Sequence, residues 1–179
     1  MKKKVNIVIG ICGSIAAYKS CELIRRLKDR NFNVNVILTE SGKKFITPLT
    51  LQNLSNNKVY TDMFDVSFFE PEHIAISENA NLIVIAPATA NIIAKISHGI
   101  ADDLLTCVVL STKSKILICP AMNSNMWLNK ITQENVLRLK KYGFHIIEPE
   151  TGKLACNKEG PGRFPPIEKI VDKILKLIK

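Results

Sequence analysis

Few side chains in this 179-residue chain are suited to chemistry, and most of them follow short apolar runs. After "VNIVIGI" comes "CGSIAAYK", in which Gly13 permits a tight turn and Ser14 starts a helix whose free amides attract an anion. Gly10, Gly13 and Ala16 follow a dinucleotide fingerprint only loosely, and an ordinary serine-capped turn reads equally well. Thr39, Ser41, Thr89 and Asn91 add hydroxyls and an amide after later runs. No acidic residue closes the second run where an NAD ribose would need one, because Thr39 comes before Glu40; a mononucleotide such as FMN fits better. In "PAMNSNMW" (120–127), Pro120, Asn123, Ser124 and Asn125 suit a turn, whereas Met122, Met126 and the single tryptophan, Trp127, do not. Asn123 can donate to a carboxylate without holding it as tightly as an arginine would. His73 can exchange a proton near neutral pH. Cys156 lies in a glycine- and proline-rich stretch, and a thiol with an ordinary pKa of about 8.5 is mostly protonated at neutral pH.

The remaining histidines and cysteines read as structural. His98 sits near a predicted helix end and His145 alternates with apolar neighbours, neither with partners spaced like metal ligands, so no metal is expected. Cys12, Cys21, Cys107 and Cys119 fall in or beside core elements and read as packing, and an odd number of scattered cysteines implies reduced thiols.

The composition is that of a soluble globular protein, 46% hydrophobic and 23% charged, and the length suits one domain over residues 1–179. No apolar run is long enough to cross a bilayer and the start lacks a signal-peptide pattern, so a cytoplasmic protein without membrane attachment is expected. The +9 charge comes from lysines spread along the whole chain, not interleaved with aromatics in one stripe, which argues against nucleic acid and for some attraction of anionic ligands.

The elements that must position these residues follow from the periodicity. Apolar runs at 5–11, 34–38, 81–86, 115–119 and 144–147 read as strands. Helical patterns cover 14–30, 74–79, 91–98, 102–111, 132–142 and 167–179, and "MFDVSFFEPEH" has no clear reading. In the first helix Ile15, Leu23, Ile24 and Leu27 are expected to face inward. Strands alternating with helices predict an α/β, Rossmann-like or flavodoxin-like three-layer fold with a mainly parallel sheet. Ligands then bind beyond the carboxyl ends of the strands, where all the odd polar segments fall. His73 joins that edge because its helix runs antiparallel to the strand that follows. The stretch 148–166 is predicted to be a loop, long enough to act as an active-site cover. The basic amphipathic terminal helix is expected to pack on the sheet.

"GSIAAYK" (13–19), "HI" (73–74), "NLIVIAPATANIIAKISHGIADDLLT" (81–106), "PAMNSNMW" and "ACNKEGPGR" (155–163) together resemble the homo-oligomeric flavin-containing cysteine decarboxylases. The resemblance implies FMN held by the carboxyl-edge loops and a neighbouring subunit, in a trimer or an assembly of trimers. It places Gly13, Ser14, Ile15, Thr39, Ser41, Thr89, Ala90, Asn91, Ile92 and Ala121 at the flavin. Asn123, Met126, Lys153 and Ala155 are placed at the substrate, with Asn123 on its carboxylate, and His73 and Cys156 are the implied catalytic pair. The implied reaction decarboxylates 4'-phosphopantothenoylcysteine to 4'-phosphopantetheine in coenzyme A biosynthesis, with possible coupling to phosphopantothenate-cysteine ligase. A bound flavin would accept and later return a hydride at the carbon beside sulfur, letting a thioaldehyde take up the electrons that carbon dioxide leaves behind. A peptidyl-cysteine decarboxylase would need no final proton donor, so Cys156 argues against it. The complete "PAMNSNMW" and the cysteine-bearing cover disfavour a flavin prenyltransferase, and the missing acidic tail disfavours a non-catalytic flavin-binding regulator. Where relatives commonly read Ala-Cys-Gly-Asp, this chain has Asn157 and Lys158, which puts the flexibility of the cover in question.

Overall fold

In the computed structural model, which describes residues 4–64 and 72–179, strand side chains alternate between two buried layers. Six parallel strands form the sheet: β1 (Asn6–Ile11), β2 (Asn33–Leu38), β3 (Val59–Tyr60), β4 (Leu82–Ala88), β5 (Lys115–Pro120) and β6 (His145–Ile146), in the order β3-β2-β1-β4-β5-β6. Ile7, Ile9 and Ile11 point to one face, where they meet Leu23, Ile24 and Leu27 of α1 (Lys19–Lys28), Leu51 of α2 (Pro48–Ser55) and Ile170, Val171 and Ile174 of α8 (Ile167–Leu177). Val8, Ile83, Ile85, Ile116 and Ile118 point to the other, against α3 (Glu72–Asn79), α4 (Ala90–Ser97), α5 (Leu104–Ser111) and α7 (Lys130–Lys141). Burial on both faces explains why these strands read as continuous apolar runs. The expected three-layer Rossmann-like fold is what forms, with the terminal helix on the sheet. Among the described residues no helix is long and apolar enough to cross a membrane.

Several elements differ from the sequence reading. β3 was not expected, because two residues carry no periodicity; it is specified by its ladder to Val36 and Ile37 of β2. Nor was α2, although Thr47 at its N-cap and Pro48 in its first turn are both start signals. "MFDVSFFEPEH" lies mostly outside the described residues. The first helix begins as a 3-10 turn, Ile15–Tyr18, whose three-residue period is out of step with α1. Ile15 is therefore 58% exposed and does not face inward with Leu23, Ile24 and Leu27. The stretch predicted as a loop contains an antiparallel hairpin, β7 (Glu150–Lys153) and β8 (Glu159–Arg163), and Ser124–Leu128 form a short helix, α6.

At the amino edge of the sheet, the Asn6 side chain accepts from Asn33 (3.1 Å) and Asn35 (2.7 Å) and donates to the Asn79 carbonyl (2.8 Å). This pins the carboxyl end of α3 beside the start of β1. The helix therefore points its amino end, with His73, toward the carboxyl edge.

Candidate functional site

Among the described residues, two clefts open at the carboxyl edge of the strands, and they share Gly13, Thr89 and Met126. The first, about 490 Å³, is lined by polar groups from Thr39, Ser41, Thr89 and Asn91 and by apolar side chains of Ile37, Ile92, Leu104 and Leu105. Gly13 makes this cleft possible: a Cβ there would stand 2.5 Å from the Ser41 Cβ, so only glycine lets the turn after β1 approach the turn after β2. Thr39 donates its hydroxyl to the Ile11 carbonyl (3.2 Å) and accepts from the Gly42 amide (3.1 Å), tying the same two turns together. Thr89 caps α4 by accepting from the Ile92 amide at 3.3 Å. Hydroxyls and amides together with apolar side chains suit a ligand that joins an anionic tail to a flat ring, as a flavin nucleotide does.

The second cleft, about 630 Å³, lies between the start of the first helix, the "PAMNSNMW" segment and the hairpin. Asn123 is the N-cap of α6: its Oδ1 accepts from the Asn125 amide at 2.9 Å. That commitment turns the amide donor outward, and Nδ2 donates to the Cys156 thiol across the cleft at 3.6 Å. Two groups 33 residues apart thus converge on one point, both able to donate a hydrogen to a substrate.

The hairpin reaches this point because its second strand is docked. The Met122 amide donates to the Gly162 carbonyl at 3.0 Å. Gly162 has φ +124°, and a Cβ there would lie 2.3 Å from the Met122 carbonyl oxygen. Gly162→Ala is accordingly expected to lower stability by about 2 kcal/mol or more and to undock the hairpin. A urea midpoint equal to that of the parent protein would contradict this.

The Flavoprotein family profile matches residues 1–179. The chain belongs to the Flavoprotein family. It is 44% identical over 178 residues to a protein of Borreliella burgdorferi named "Coenzyme A biosynthesis bifunctional protein CoaBC", covering 99% of this chain and 45% of that protein. The chain therefore spans less than half the length of this relative. It is also 41% identical over 179 residues to the "Probable phosphopantothenoylcysteine decarboxylase" of Streptococcus mutans, covering 97% and 98% of the two chains. Among solved structures, a cysteine-to-serine mutant of PPC decarboxylase complexed with pantothenoylaminoethenethiol superposes with a TM-score of 0.89 at 28% identity, over 97% of this chain and 98% of that one. The FMN-dependent cysteine decarboxylase SpaF gives 0.85 at 30% identity, over 97% of each.

In this member of the Flavoprotein family, Gly13, Thr39, Ser41, Thr89, Asn91 and Ile92 line the first cleft. Ser14, Ile15 and Ala121 line the second instead, together with Asn123, Lys153, Ala155 and Cys156, and Met126 borders both. Ala90 and His73 line neither. Ser14 is the cap of the 3-10 turn, accepting from the Ala16 amide at 3.3 Å. His73 is half-buried, and its Nδ1 is buried without a hydrogen-bond partner among the described residues. Trp127, on α6, is buried in the core. At the hairpin tip Asn157 takes the left-handed conformation (φ +59°), which asparagine adopts more readily than other residues with a Cβ. The tip is closed by bonds from the Leu154 amide to the Lys158 carbonyl (2.9 Å) and from the Asn157 amide to the Leu154 carbonyl (3.0 Å).

Sequence reasoning missed Lys95 and Asp103 in the first cleft and Tyr18, Lys19 and Arg163 in the second. Cys12 packs in the core as expected, at 3% exposure, and also borders the first cleft; burial pushes its thiol up to about 12. Cys119 is core, as expected. Lys95 bonds Asp102 at 2.7 Å, tying α4 to the turn before α5, and Asp103 caps α5. The hydrogen bond from Lys95 holds the Asp102 carboxyl below its ordinary 3.8, and the same bond holds Lys95 above its ordinary 10.5. A lowered carboxylate stabilises the fold above its unfolded value and loses this as pH falls through the folded value; a raised lysine does so below its unfolded value and loses it as pH rises. Both hold between 3.8 and 10.5. Asp102→Asn is expected to lower the melting temperature near neutral pH, with the difference from the parent shrinking as the pH is taken below the carboxylate range. Thermal melts across pH check it.

Proposed function

We propose that this chain is an FMN-dependent decarboxylase that converts 4'-phosphopantothenoylcysteine to 4'-phosphopantetheine, in the cytoplasm, as a step of coenzyme A biosynthesis. The observation that carries this reading is the convergence of Asn123 Nδ2 and Cys156 Sγ at 3.6 Å, in a cleft that shares Gly13, Thr89 and Met126 with a hydroxyl-lined cleft suited to a flavin. The relatives named for coenzyme A biosynthesis and phosphopantothenoylcysteine decarboxylation support the substrate.

Thr39, Ser41, Thr89 and Asn91 would hold FMN, with Gly13 leaving room for it and Ile37, Leu104 and Leu105 supplying apolar surface in the same cleft. When bound, the flavin supplies a reversible hydride sink, which no side chain offers. Asn123 orients the substrate carboxylate by donating from an amide fixed in place by its own capping bond. Being neutral, it does not oppose the loss of that carboxylate as an arginine would. Ala155 and Lys153 line the cleft beside Cys156, whose thiol supplies the proton that completes the product. A peptidyl-cysteine decarboxylase, whose product remains an enethiol, would have no use for that thiol.

His73 lies at the amino end of α3 and lines neither cleft of its own chain, with Nδ1 buried and unpartnered among the described residues. We therefore assign it to the active site of an adjacent copy, in a trimer or an assembly of trimers. Coupling to a phosphopantothenate-cysteine ligase fits the bifunctional relatives.

The test is incubation of FMN-loaded protein with 4'-phosphopantothenoylcysteine, measuring carbon dioxide and product mass. Both are expected in equal amount. Protein that retains no flavin after reconstitution, or flavin-loaded protein that releases no carbon dioxide, would reject the proposal.

A further inference from the structure

The two clefts differ in charge. The first is lined by Lys95 but also by Glu40 and Asp103, whereas the lining of the second contains no acidic side chain and three cations, Lys19, Lys153 and Arg163. Lys153 ends β7 beside the tip that bears Cys156. Lys19 and Arg163 lie elsewhere, and the fold brings them together. Lys19 opens α1, and its ammonium stands 6.0 Å from the ring centroid of buried Phe164, the neighbour of Arg163. Arg163 ends β8 and folds back over β7, with Nη1 3.1 Å from where a Cβ on Gly152 would stand. Neither cation forms an ion pair with a described residue. The nearby acid, Glu150, is opposite Arg163 in the hairpin and is also approached by Lys169 at 3.9 Å.

Two cations that line one cleft with no anionic partner among the described residues oppose folding unless something anionic joins them. Lys19 registers this directly: its ammonium is pushed below the ordinary 10.5 first by burial and then by the charge of Arg163, with Glu150 only partly offsetting.

We propose that Lys19 and Arg163 form a phosphate subsite that selects the phosphorylated substrate over the same molecule lacking its phosphate. This rests on the function proposed above and deepens it. The spacing agrees. A strand rises about 3.3 Å per residue, so Arg163 stands about 13 Å along β8 from Glu159, where the tip carrying Cys156 ends. In 4'-phosphopantothenoylcysteine roughly eleven bonds separate the phosphorus from the cysteine α-carbon, a span of about 13 Å when extended at the reach of a peptide chain. With the cysteine end at Asn123 and Cys156, the phosphate arrives at the Lys19 and Arg163 end of the same cleft. The guanidinium suits a phosphate because it offers paired donors, and the ammonium adds a point charge.

The experiment compares kcat/KM for 4'-phosphopantothenoylcysteine and for N-pantothenoylcysteine, using FMN-loaded parent protein, Lys19→Met, Arg163→Met and Arg163→Lys. Charged hydrogen bonds of this kind correspond to discrimination of about 10- to 100-fold each. The parent is expected to prefer the phosphorylated substrate by at least about 100-fold, each methionine variant to lower that ratio by about tenfold or more, and Arg163→Lys to recover part of it. A parent ratio near one, or variants that slow both substrates by the same factor, would overturn the subsite. In parallel, calorimetry compares 4'-phosphopantetheine with pantetheine as ligands of the same proteins. If carbon dioxide comes from neither substrate, the decarboxylase reading fails, and the calorimetry still decides the subsite: equal affinity for the two ligands overturns it, and a preference lost in the methionine variants upholds it.

Discussion

Cys156→Ser is expected to release carbon dioxide from 4'-phosphopantothenoylcysteine while a product two hydrogens poorer than 4'-phosphopantetheine accumulates. The thiol stands at the exposed tip of the β7–β8 hairpin, 3.6 Å from the Asn123 amide, and nothing in the decarboxylation itself requires it. In the proposed reaction its role falls at the end, when the enethiolate left by carbon dioxide would gain a hydride and a proton. A serine hydroxyl has nearly the same shape but is a far weaker acid, so the variant separates protonation from binding. Losing a positioned proton donor typically slows a step by about 10²- to 10⁴-fold, enough for the oxidised product to dominate. Mass spectrometry distinguishes the two products by the mass of two hydrogens, and carbon dioxide release serves as the internal control. Unchanged formation of 4'-phosphopantetheine would remove Cys156 from the mechanism.

Asn123→Asp should be more damaging, with kcat/KM falling by about 10³-fold or more. Aspartate caps a helix as well as asparagine, so α6 and the fold are retained, with Oδ1 still accepting from the Asn125 amide. What changes is the atom facing the cleft: a donor becomes an anionic oxygen opposite the substrate carboxylate. A lost charge-assisted hydrogen bond and a new like-charge contact each contribute several kilocalories, and together they exceed what an ordinary turn asparagine would show. Thermal melts and the flavin spectrum should match those of the parent. Activity within about tenfold of the parent would assign Asn123 to the helix cap alone.

These two residues were visible in the sequence for different reasons. Asn123 stood out because methionines and a tryptophan are unsuited to a plain turn, yet its orientation was not visible. The capping bond that turns Nδ2 outward exists only because residues 124–128 coil into a helix too short for any periodicity. Cys156 stood out by lying in a glycine- and proline-rich stretch. That stretch read as a loop since "ETGK" and "EGPGR" lack the alternating β-branched and aromatic residues of a strand. Its hairpin depends on long-range docking, through the Met122 amide and the close fit of Gly162.

The strongly periodic elements were legible throughout. Strands buried on both faces are written as apolar runs, and helices packed on one side as amphipathic stripes, because each residue's burial there depends on its own element's geometry. The same logic located the carboxyl edge, and with it Gly13, Thr39, Ser41, Thr89 and Asn91. It failed for Ile15, where a 3-10 turn shifts the phase, and for β3, where two residues are defined only by their neighbours.

By itself, then, the sequence determined the layered parallel fold and the edge on which the chemistry lies, for these follow from local periodicity and chain order. Only the tertiary structure decided that Asn123 faces Cys156, that Cys12 borders the first cleft, and that Lys19 and Arg163 line the second together. Each of these brings together segments far apart in the chain, and their spacing is set by how elements pack, which no local pattern of residues records.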